Sequence, residues 1–133
     1  MAPDRDTPRR DGEILNLPVA AAKTIYAGAL VARDADGNAT PGATATGLLG
    51  VGRAEYRADN SAGSAGDLTV DVRKGVFHFG NSAAADAITS ANVGTACYIV
   101  DDRTVAKTDG TGTRSVAGVV FDVDPDGVWV MLR

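Results

Sequence analysis

Apolar residues along this chain come in short bursts separated by stretches rich in Gly, Asp, Asn and Ser. Leu68-Thr69-Val70-Asp71-Val72-Arg73 alternates apolar and polar with a period of two, the pattern of a strand with one face buried. Val76-Phe77-His78-Phe79 alternates in the same way, which puts both phenylalanines on one face and turns His78 to the other. Further strand-like runs lie at Thr24–Tyr26, Ala29–Ala32, Leu48–Gly52, Thr95–Val100, Thr104–Ala106, Val116–Phe121 and Val128–Leu132. Between them, Asp34–Asn38 and Asp122–Gly127 read as tight turns, and Asp59–Asp67 as a flexible loop. Ser82–Asn92 is the one segment with helical character: Asn81 or Ser82 could cap it, its alanines favour it, and Gly94 ends it. The pattern predicts a mainly β fold, a small β-barrel or sandwich with one short helix and an extended N-terminal arm.

The arm is assigned to residues 1–18 and the β-rich body to 19–133. Residues up to about 13 are polar and carry both signs of charge, so they cannot build a core. Ile14, Leu15 and Leu17 follow as an apolar stretch that calls for a covering surface, on the body or on a neighbour. Trp129 fits either a barrel rim or an interface anchor, since tryptophan is enriched at binding hot spots. These four residues are the candidate partner interface. The chain also echoes itself. Gly28 opens a run that reaches a mid-strand glycine at Gly50, and Gly94 opens one that reaches Gly118. Two such halves are expected to close one small barrel.

Composition narrows the core and the chemistry. Hydrophobic residues make up 44% of the 133, but aromatics only 5%, so the core is aliphatic. Because burial gain scales with apolar area, such a core profits from oligomerisation or docking. Net charge is −4 and Arg9-Arg10 is flanked by acids, which leaves no basic face for direct nucleic-acid binding. The N-terminus has no signal-peptide h-region, and no run approaches the ~20 apolar residues of a membrane helix.

Reactive side chains are few. Cys97, the only cysteine, lies in an apolar run and reads as a buried hydrophobe. His78 is the only imidazole, and its place in the alternation makes it a surface residue. Asp122, Asp124 and Asp126 alternate like the start of a calcium loop, but Arg133 stands where the bidentate Glu belongs. There is no phosphate-loop string. The expectation is therefore no catalytic residue, no cofactor and no metal, with a small hydrolase using Cys97 or His78, or a ligand-binding module, as the contrary readings.

Several segments together resemble the small Ala/Gly/Val-rich decoration (cement) proteins of tailed-bacteriophage heads. They are Tyr26–Val31, Gly47–Val51, Lys74–Phe77, Ala87–Gly94, Tyr98–Val105, Ala117–Val120 and Gly127–Val130. The resemblance implies a barrel-like body, often a homotrimer, on the capsid exterior, made in the host cytoplasm. It implies the major capsid protein as partner, bound where capsomers meet so that the head is stabilised. A tail, baseplate or head-fibre-base component is the structural alternative.

Overall fold

The computed structural model describes residues 3–133 and is mainly β, as the alternation predicts. Twelve strands form two five-strand units and one short ribbon. The first unit contains β1 (Ile14–Pro18), β3 (Leu30–Arg33), β4 (Ala39–Pro41), β5 (Leu49–Ala54) and β7 (Thr69–Arg73), in the order β1-β7-β5-β3-β4. The ribbon is β2 (Lys23–Ile25) with β6 (Ala58–Asn60). The second unit is a closed barrel of β8 (Gly75–Asn81), β9 (Ala96–Ile99), β10 (Thr104–Ala106), β11 (Val116–Asp124) and β12 (Gly127–Leu132). Its order around the barrel is β10-β8-β12-β11-β9.

The two units are copies of one design. Val31 opposite Gly52 in the first becomes Cys97 opposite Gly118 in the second, and Arg33 opposite Ala39 becomes Ile99 opposite Val105. Arg53 opposite Arg73 becomes Val119 opposite Met131, and Leu17 opposite Val70 becomes Phe79 opposite Val128. Each unit carries a β-bulge at the same place, between Val31/Ala32 pairing and between Val116/Gly118. Even the closure matches. The first unit's edges meet at one parallel bridge, Val19 to Ala39, and the second's at Asn81 to Val105. The echo in the sequence is thus a duplicated unit rather than two halves of one barrel. The partner of Gly118 is Gly52, not Gly50.

Gly52 and Gly118 are required by this design. A Cβ on either would run into the backbone carbonyl across the strand, that of Arg73 or of Met131. Each lies beside its unit's bulge and lets the next strand's backbone approach closely, which is a common role for a glycine inside a strand.

The units are stacked, not merely linked. On β3, Val31 points into the first core, while Leu30 and Ala32 point the other way and join the core of the second barrel. Leu30 N–H donates to Asp102 O at 2.8 Å, and Thr44 Oγ1 donates to Val100 O at 2.7 Å. Ser115 Oγ accepts from Leu48 N–H and donates to Ala45 O. Gly50 completes the joint, since a Cβ there would overlap the Ala117 carbonyl. The Arg53 guanidinium lies 4.5 Å over the Phe77 ring, a cation–π contact between the units.

Two expectations change in detail. Ile14–Pro18 belongs to the body, paired residue for residue with β7, so the segment without regular structure runs from Pro3 to Glu13. Met1 and Ala2 lie outside the described residues. The short helix is two separate 3-10 turns, Ala84–Asp86 and Ser90–Asn92. Asn81 explains the break: its side chain takes the Ile88 N–H and donates to the Ile88 carbonyl, both at 2.8 Å. That clamp draws Ile88 into the barrel core, and Ala87 must be extended to allow it.

Candidate docking face

The side chains on the outer surface of the second barrel form the candidate site. Along β12, Val128, Val130 and Leu132 are buried, so Trp129 and Met131 face outward. Met131 lies beside Val119 of β11 and Val76 of β8, and Val119 lies beside Ala96 of β9. One apolar row therefore crosses four strands. A second row, toward the β11–β12 turn, holds Trp129 between His78 and Asp122, and Phe121, which is 54% exposed, is the unpaired residue of the bulge beside Asp122.

The sister unit shows that the fold does not need apolar side chains at the centre of this row. The positions equivalent to Val119 and Met131 are Arg53 and Arg73. Glu55 binds both, Arg53 at 2.8 Å and Arg73 at 3.1 Å, and Arg73 also reaches Glu13. Hydrogen bonds from these two guanidinium groups hold the Glu55 carboxyl below its ordinary pKa. Trp129 is replaced by Asp71, which accepts from Asn16 Nδ2 at 2.9 Å. The sister row reads Leu30–Arg53–Arg73–Ile14, so its two central positions are charged where those of the second unit are apolar.

Trp129 is 36% exposed yet held firmly. Its indole N–H donates to Asp124 Oδ2 at 3.0 Å, and its ring lies 4.8 Å from the His78 ring at a 55° tilt. His78 Nε2 stands 3.2 Å from Asp124 Oδ1, which also accepts the backbone N–H groups of Asp126 and Gly127. These contacts, that of His78 first and that of Trp129 second, lower the Asp124 pKa. Asp124 thus spends its carboxylate on the turn and on two rings, and Asp122 accepts the Val123 N–H. Among the described residues no group of three or more His, Cys, Asp or Glu is placed to hold a metal ion.

The other sequence candidates are dispersed. Ile14 is 43% exposed on β1, Leu15 is half-buried, and Leu17 packs against the first core. They lie in the first unit, away from Trp129 on β12 of the second. Cys97 is fully buried in the second core, and burial pushes its thiol up to about 11. His78 is on the outside of the same barrel, so the barrel wall separates the two. The sequence reading missed Phe121, Val119, Met131 and Val76. Only the register reveals Val119, Met131 and Val76, because adjacency across four strands leaves no mark on any one strand, and only the bulge exposes Phe121.

No helix among the described residues is long and apolar enough to cross a membrane. Comparison with protein-family models, with curated proteins and with solved structures finds no match to this chain.

Proposed function

We propose that the protein is a structural component of a tailed-phage particle. It decorates the outside of the head, binds the major capsid protein where capsomers meet, and stabilises the shell through contact area. The observation that carries this reading is Trp129, an exposed aromatic pinned by Asp124 and His78 at a position where the sister unit has Asp71. A large side chain fixed before binding loses little entropy on docking, which suits an anchor. The resemblance of the aliphatic segments supports the major capsid protein as partner, and the pinned anchor supports the means.

The test is to add purified protein to heads lacking it and to measure saturable binding and heat resistance. Trp129→Ala is expected to weaken binding by about 2 kcal/mol, roughly thirtyfold. Heads that take up no protein at saturating concentration would end the proposal. Binding to tails instead of heads, seen by labelling intact particles, would move the site to the tail.

A further inference from the structure

At the end of the docking face nearest the first unit, a groove of about 190 Å³ runs between the two units. Ala96, Val116, Val119 and Met131 line it from the second barrel, and Leu49 and Gly50 from the first. Leu49 is 39% exposed at its lip. The groove is the outward continuation of the internal joint, since Gly50 touches both. We infer that this groove, with the Ala96–Val119–Met131–Val76 row, is the surface through which one copy of the chain binds a second copy.

Three observations favour a second copy over another occupant. Within the chain, apolar side chains on the outside of a unit mark the place where another unit sits: Leu30 and Ala32 are outward on β3 and are covered by the second barrel. The row in question crosses four of the barrel's five strands, and it abuts that covered joint. The charges at the two ends of the face are also opposite. Asp122 and Asp124 lie at the turn end, and Lys74 and Arg133 flank the Gly75–Leu132 pair at the other. Identical faces laid in opposite senses, or following one another along the strands, bring acid to base. The contact differs from the internal joint. Val116 occupies the position of Gly50, so its side chain bars the close backbone approach that Gly50 allows.

This inference stands apart from the Trp129 anchor, and its test needs no phage head. The full chain is examined by sedimentation velocity over a hundredfold range of concentration. The wild type is expected to self-associate, and Val119→Arg/Met131→Glu to weaken association at least tenfold with an unchanged melting profile. The two new side chains face each other across β11 and β12, where the sister unit already carries Arg53 and Arg73, so the fold should accept them. Leu49→Ser gives a second route, because Ser115 is the sister residue. It too should weaken association. Trp129→Ala should leave association intact. A wild type that stays monomeric throughout, a double variant as associated as the wild type, or association indifferent to Leu49→Ser would overturn the inference.

Discussion

At the scale of single residues, Asp124 organises the exposed end of the second barrel, because one carboxylate receives the Trp129 indole, the His78 ring and two backbone N–H groups. Its pKa is lowered in the folded protein, so its contribution to stability is full above the ordinary aspartate range near pH ~4. That contribution fades as pH falls through the lower, folded value. A carboxyl-resolved NMR titration should find Asp124 protonating at lower pH than a free aspartate, with Trp129 fluorescence changing in the same window. An Asp124 titrating at the ordinary value would contradict the geometry. Asp124→Asn keeps the shape but loses the charge, and should release the indole and shift its emission at neutral pH.

At the scale of elements, the bulged strand is the unit the chain repeats, and its glycine is the residue it can least change. Gly118→Ala puts a methyl group against the Met131 carbonyl and should cost about 1–3 kcal/mol, as overpacking does. Gly52→Ala should do the same in the first unit, and denaturant unfolding measures both. A loss below about 1 kcal/mol at either glycine would show that the bulge can relax. The strands themselves were readable from sequence, since Leu68–Arg73 and Val76–Phe79 show their buried faces by alternation alone. The helical segment Ser82–Asn92 is split into two 3-10 turns for a reason no local propensity carries. Asn81 recruits Ile88 from seven residues away, and the pull of the core outweighs the alanines between them. Trp129 stood out in the sequence because its residue type is distinctive. Val119 and Met131 did not, because their meaning lies in which strands stand beside them.

At the scale of the whole molecule, the two units share a core boundary, which makes their folding interdependent. Leu30 is fully buried and belongs by chain to the first unit but by packing to the second barrel. Leu30→Ala should cost about 2–5 kcal/mol and should loosen the second barrel, detected by faster amide exchange in β9 and β12. Exchange accelerated only in the first unit would refute the shared core. The internal joint also joins unlike surfaces, the outside of one unit and the hairpin end of the other. An unlike contact of that kind, repeated from chain to chain, builds filaments wherever its rotation does not close a ring. Valine at 116 and arginine at 33 spoil both unsatisfied sides of it, where the joint itself uses Gly50 and Ile99. The internal joint is therefore a contact that the two units make with each other and that neither free side is shaped to repeat.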